Sequence, residues 1–297
     1  MTITNKLLEI SSIFTNAFCT VKKFDIPNGY KLIHSDNFDT IDFNYWKEYP
    51  YGYFKTNDLK VYWQSNKGMA VVNNVLQLSV EEKTRYWQIK DLPEYQRKEL
   101  NYHEMPQNHR LDYYGVVYSA LNKPVSTTQY DSIEIPYVSG VLHSIKGYRY
   151  GIFKIEAMFP VGTKLFPSFW LSGIESWPPE IDIFEGYNSR DTIEPNVHYG
   201  DCNENHKQTG ATRISMSHKQ DKWHEFVCWW EKDFIKIYYD GRLVYKVTDK
   251  NVLKWFDNKT MKVILNCNID YWKSLADFQI NPTLEPLKFR NFRIYQK

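Results

Sequence analysis

Three carboxylates stand within six residues in Glu180-Ile-Asp182-Ile-Phe-Glu185. The residues between them, Ile181, Ile183 and Phe184, are core formers, so the run reads as a buried strand and not as a solvated acidic loop. Side chains alternate along a strand, and Glu180 and Asp182 therefore share a face. Glu185 lies five residues from Glu180, an odd offset that points it to the opposite face. One extra residue near Ile183-Phe184, a β-bulge, returns it to the carboxylate face. Repulsion among three acids on one face raises the pKa of at least one of them. An ionised and a protonated carboxyl group side by side suit glycosidic bond cleavage. The competing reading is a surface strand whose polar face happens to be acidic.

The surroundings favour chemistry. Phe166 and Trp170 precede the acids, Trp177 stands just before Glu180, and Tyr187, Tyr199 and Trp272 follow. Flat rings of this kind stack on sugar faces. Phe169 and Trp170 point oppositely in a strand, and Phe166 and Trp170 are assigned to the cleft. His198 lies among rings downstream, where an imidazole hydrogen-bonds Asp182 or a sugar hydroxyl. All of these are expected to bind substrate. No Ser-His-Asp or metal-ligand spacing stands out, so no metal site is expected.

Elements that present such a face are strands. Helical periodicity is scarce, and short or alternating apolar runs bounded by Gly, Pro, Asn and Asp recur. Leu76–Val80 and Tyr150–Phe159 alternate, and Met261–Asn268 and Phe289–Tyr295 read as further strands. Phe234–Tyr239, Asp240-Gly241 and Arg242–Val247 predict a hairpin with a type I′ turn. Residues 84–134 are polar and Tyr-rich and read as long loops or an insertion. The fold expected is all-β, a sandwich of two antiparallel sheets. The expected organisation is an extension over 1–30 and one domain over 31–297.

Composition agrees. Folding 297 residues buries about three quarters of the chain's surface, so disulfide staples are unnecessary. A net charge of +2 argues against a nucleic-acid partner, and no apolar run is long enough to cross a membrane. Aromatic residues reach 17%, enough for a ring-lined groove as well as a core. Cys19, Cys202, Cys228 and Cys267 are too scattered for a zinc or redox motif, and the last two sit in strands as small buried residues.

Six stretches in order, from Asp36 to the C-terminus, carry a resemblance. They are Asp36–Asp39 followed by Trp46; Ser139–Ser144 with Tyr150–Phe153; Pro160–Trp170; Glu180–Glu185; Trp223–Phe226 through Asp240-Gly241; and Phe292–Tyr295. The chain resembles glycoside hydrolase family 16, the laminarinase, agarase and κ-carrageenase group. That resemblance implies a β-jelly-roll with a concave cleft and retaining endo-β-glycanase activity, with Glu180 as nucleophile, Glu185 as acid/base and Asp182 assisting. It implies β-1,3- or mixed-linkage glucan as substrate. The alternatives are a β-galactan such as agar, carrageenan or poly-N-acetyllactosamine, a transglycosylase, or a non-catalytic carbohydrate-binding jelly roll. Lys154 and Glu156 stand where the family often has Glu and Arg. Arg290 stands where it often has an Asp that helps hold a structural calcium, so no cofactor is expected. The expected partner is polysaccharide, and the expected state a monomer. Met1–Lys23 has no clean signal-peptide pattern. A polymeric substrate nevertheless implies an extracellular, cell-surface or virion-associated enzyme.

Overall fold

The computed structural model describes residues 23–47, 53–56, 59–63, 68–88, 132–159, 165–187, 192–201, 205–210, 212–215, 222–269 and 286–297. In chain order the strands are β1 (Lys31–Asp36), β2 (Trp46–Lys47), β3 (Tyr53–Thr56), β4 (Leu59–Trp63), β5 (Met69–Val71), β6 (Leu76–Leu78), β7 (Val80–Gln88), β8 (Ser132–Ser139), β9 (Val141–Ser144) and β10 (Gly151–Met158). They continue with β11 (Leu165–Gly173), β12 (Glu180–Tyr187), β13 (Thr192–Tyr199), β14 (Lys207–Gln208), β15 (Ile214–Ser215), β16 (His224–Glu231), β17 (Phe234–Tyr239) and β18 (Arg242–Val247). A single helical turn, α1 (Lys250–Leu253), then leads to β19 (Met261–Ile269) and β20 (Leu287–Gln296).

Two large antiparallel sheets stack. The front sheet runs β14-β13-β12-β11-β19-β9-β2, with β15 beside β13, and the back sheet runs β18-β17-β16-β10-β20-β6-β5, with β1 beside β20. Alternation along each strand turns one row of side chains into the space between the sheets. Ile181, Phe184, Phe169, Leu171, Val263 and Leu265 from the front meet Phe226, Cys228, Trp230, Ile237, Phe289 and Phe292 from the back, all fully buried. Phe184 is at the centre, 4.5 Å from the Phe226 ring and 4.9 Å from Phe159. Burying each such side chain contributes roughly 1.5–3 kcal/mol. The two strand cysteines lie in this core, and burial pushes both thiols up.

The predicted hairpin is β17-β18. Asp240 and Gly241 take the positive φ values of 48° and 71° that its turn demands. Asp240 also locks the neighbouring strand, because its carboxylate accepts from the Glu225 N–H at 2.9 Å and lies 2.6 Å from His224 Nδ1.

The outward side of the back sheet carries Trp229, next to core-facing Trp230. The indole N–H of Trp229 donates to Tyr30 at 2.7 Å, and Tyr30 in turn donates to Glu231. Phe24 packs its ring 4.7 Å from Tyr238, and its N–H donates to Glu225. Phe24 and Tyr30, within the stretch read as an extension, thus lie on the sheet. Lys154 and Glu156 do not pair with each other: Lys154 sits 2.5 Å from Glu225, and Glu156 sits 2.6 Å from Arg290.

The 84–134 stretch differs at its ends from the loop expectation. Thr84–Gln88 continues β7, and Ser132–Glu134 opens β8, the two pairing from Val80↔Ser139 to Gln88↔Ser132. They form a third sheet, β3-β4-β8-β7. Polar residues fit strands in so small a sheet, where ladder hydrogen bonds and not apolar alternation define the element. Residues 89–131 lie outside those described. Among the described residues no helix is long and apolar enough to cross a membrane.

Candidate active site

The bulge lies where the acid spacing requires it. On one side of β12 the pairs are Asp182↔Trp170 and Phe184↔Phe169, and on the other Asp182↔Asn196 and Glu185↔Glu194. The second interval sets Ile183 and Phe184 against Pro195 alone. Proline has no N–H to give a ladder and is tolerated in a strand at such a place. Ile183 and Phe184 are both buried in the core, and Glu185 returns to the face of Glu180 and Asp182.

That face of the front sheet is built in rows across the strands. The first row is His198, Glu180, Ser172 and Lys262, and the second Asn196, Asp182, Trp170, Ile264 and His143. The third is Glu194, Glu185, Ser168, Asn266 and Val141.

The surroundings of the two glutamates differ. Trp177 donates its indole N–H to Glu180 Oε2 at 2.8 Å. His198 Nε2 is 3.7 Å from Glu180 Oε1 and 3.3 Å from Asp182 Oδ2. Burial and the Asp182 charge raise Glu180 to about 8, while His198 and Trp177 pull it back. Glu185 goes well above the usual carboxylate range, through burial first and then the charges of Asp182, Glu180 and Glu194. Burial by itself would lower His198, but the Asp182 hydrogen bond and the two carboxylates outweigh it and bring the imidazole to about 9. The face therefore favours the cationic form of His198 beside Asp182 and Glu180, and the protonated forms of Glu180 and Glu185.

The remaining predicted residues divide. Trp170 is half-buried on the carboxylate face and donates its indole N–H to Asn266 Oδ1 at 2.7 Å. Phe169 is in the core, as the alternation with Trp170 demands. Phe166 shares the Trp170 face but keeps only 6% exposure, so it is a wall of the cleft more than a stacking platform. Trp177 is half-buried beside the acids. Tyr199 corrects the expectation: it follows His198 in β13, points to the other face and packs against the core. Tyr187 closes β12 with a side chain outside those described, and Trp272 lies outside the described residues altogether.

Several site residues carried no sequence signal of their own. His206 sits with Nε2 2.8 Å from His198 Nδ1, and its ring lies 4.7 Å from Trp177. Asn196 donates to Gln208 Oε1 at 2.9 Å. Glu194, buried across from Glu185, accepts from Arg213 Nε at 2.9 Å. Alternation from His198 would have found Asn196 and Glu194, two and four residues back; His206 and Arg213 come from loops that no periodicity reaches.

Comparison with known proteins gives the fold's relatives and the family. No curated protein sequence matches the chain. In fold it is similar to a structure from work on endo-acting O-glycanases with which prominent members of the human gut microbiota initiate mucin breakdown, at 21% identity over 92% of this chain and 93% of that one, TM-score 0.64. It is also similar to SCLam, a non-specific endo-β-1,3(4)-glucanase, at 21% identity over 93% and 94% of the two chains, TM-score 0.62. The catalytic domain of a Thermotoga petrophila RKU-1 laminarinase shares 18% identity over 90% and 98%, TM-score 0.61. The model of glycosyl hydrolases family 16 matches residues 55–275, about three quarters of the sequence and the whole of the acidic row. With that match over a two-sheet sandwich bearing a carboxylate row on its open face, the chain belongs to glycosyl hydrolase family 16 and is a glycoside hydrolase.

Proposed function

We propose that this chain is a retaining, endo-acting β-glycanase that cleaves β-1,3- or mixed-linkage glucan by double displacement. The observation that carries the reading is the unequal setting of two glutamates on one bulged strand. Glu180 is the acid with donors around it, an indole N–H and an imidazole, and these favour its ionised form. As a carboxylate it attacks the anomeric carbon. Glu185 is surrounded by carboxylates and keeps its proton until the leaving oxygen takes it. Water then attacks the glycosyl-enzyme, giving its proton to Glu185 and releasing Glu180. Asp182, between them and against His198, holds the imidazole's charge beside the nucleophile.

Trp170 stands across from Asp182 and Trp177 beside Glu180, and His143, Asn196 and Asn266 line the same rows. No metal enters this reading. Arg290 places its guanidinium on Glu156, 4.1 Å from the Trp223 ring centre.

The test is a panel of laminarin, barley mixed-linkage glucan, agarose, κ-carrageenan and poly-N-acetyllactosamine, with product sizing and NMR of the first-formed anomer. Release of β-configured oligosaccharides from the glucans supports the reading. Early α product overturns the mechanism, and turnover of only a galactan or lactosamine polymer overturns the substrate.

A further inference from the structure

Within β12, Ile183 is the one residue with no cross-strand partner on either side: its neighbours pair with β11, β13 or both, and it pairs with neither. It stands at the bulge, and it is fully buried. A buried carbonyl needs a donor, and Pro195, across the bulge, has no N–H to supply one. The donor comes from the other sheet. Tyr239, the last residue of β17, crosses the sandwich and donates its hydroxyl to Ile183 O at 2.7 Å.

Tyr239 is itself held in place. It is buried, its ring lies 4.8 Å from Phe226, and the next residue is the turn aspartate bonded to Glu225 and His224. Burial, with the charges of Asp182 and Glu185, raises its phenol well above the ordinary range, so it remains a donor at every working pH.

We propose that Tyr239 is a positioning residue for catalysis, clamping the bulge at Ile183 and thereby setting Glu185 in line with Glu180. Without the clamp the extra residue has no fixed place between Asp182 and Glu185, and the acid loses its aim at the leaving oxygen. The proposal rests on the reading of Glu185 as acid/base. Its signature is selective: chemistry that needs a proton from Glu185 suffers, and chemistry that needs none does not.

The experiment compares Tyr239→Phe with the parent on two substrates. Laminarin has a sugar leaving group that must be protonated. 2,4-Dinitrophenyl β-laminaribioside has a leaving group that departs unprotonated, and azide replaces the base-activated water and yields the β-glycosyl azide. Tyr239→Phe is expected to lose about 10- to 100-fold in kcat on laminarin, the scale of a small misplacement of a reacting group, with KM within about twofold. With the aryl glycoside and azide the loss should stay below about threefold. Tyr239→Met removes the same donor and must show the same split.

Tyr148→Phe, which deletes a buried hydroxyl bonded to Tyr45 away from the site, should lower the melting temperature and leave both substrates alike. Equal losses on the two substrates in Tyr239→Phe, or no loss on laminarin, overturn the clamp. Glu185→Gln is run in parallel and should show the same split, only larger. If Glu185→Gln loses both substrates equally, the acid/base reading fails, and the clamp with it.

Discussion

Burial and three neighbouring carboxylates favour the protonated form of Glu185, and that has a cost in stability. Its folded pKa is raised, as are those of Glu180, from 4.5 to about 8, and His198, from 6.5 to about 9. A raised folded pKa means the folded state binds more protons, so these contributions are complete below the unfolded values and fade as pH rises through the folded ones. Stability should therefore fall from about pH 5 to pH 9. Glu185→Gln keeps the shape and removes the ionisable group. It should lose about 100- to 10,000-fold in turnover on laminarin and melt several degrees above the parent at pH 8, the gap closing by pH 4; thermal melts across pH check this. Asp182→Asn should retain fold and binding and lose activity by about 100-fold. It should also drop the pKa of His198, whose charge Asp182 holds, as an imidazole NMR titration would show. An unchanged imidazole would mean that the pair is not what maintains the cation.

At the level of elements, β12 is cramped as well as bulged. Gly186 follows Glu185, and a Cβ there would stand 2.5 Å from Pro167 Cγ in β11. Gly186→Ala should cost about 1–3 kcal/mol by overpacking and depress activity with it, measured by denaturant melts beside kcat. The acids and their bulge were legible in the sequence because strand alternation makes an odd offset between like residues a specific anomaly. The hairpin was legible because Asp-Gly has few other uses between alternating runs. Tyr199 was misplaced because its ring type was weighed above its parity with His198. The strand ends at 84–88 and 132–134 were missed because their composition is polar and their pairing spans more than forty residues. Glu194 and Asn196 were within reach of the same alternation rule. Tyr239 was not, since nothing in the sequence tells which residue of one sheet meets the other.

For the whole molecule, the second and third rows of the site cross five strands from β13 to β9. Adjacent strands lie about 4.8 Å apart, so the rows span roughly 19 Å, room for several sugar rings side by side. The acids lie within this span and not at its end. Cleavage within chains is the expected outcome: the viscosity of a long β-glucan should collapse while few reducing ends have appeared, and a ladder of oligosaccharides should follow. Steady release of one small sugar with viscosity held would show that the cleft is closed at one end. The two-sheet architecture was legible from the scarcity of helical period and the recurrence of turn residues, which need no knowledge of pairing order.

Trp177 has an optical consequence. Its indole is bonded to Glu180 and its ring lies 6.1 Å from His198 and 4.7 Å from His206. A protonated imidazole at such range quenches indole emission, and the bond to Glu180 weakens when that carboxylate becomes an ester. The site thus carries its own fluorophore. The difference between parent and Trp177→Phe spectra should brighten as pH passes about 9, where His198 loses its proton. It should shift again when a 2-fluoroglycoside traps Glu180, reporting the covalent step in real time without a labelled substrate.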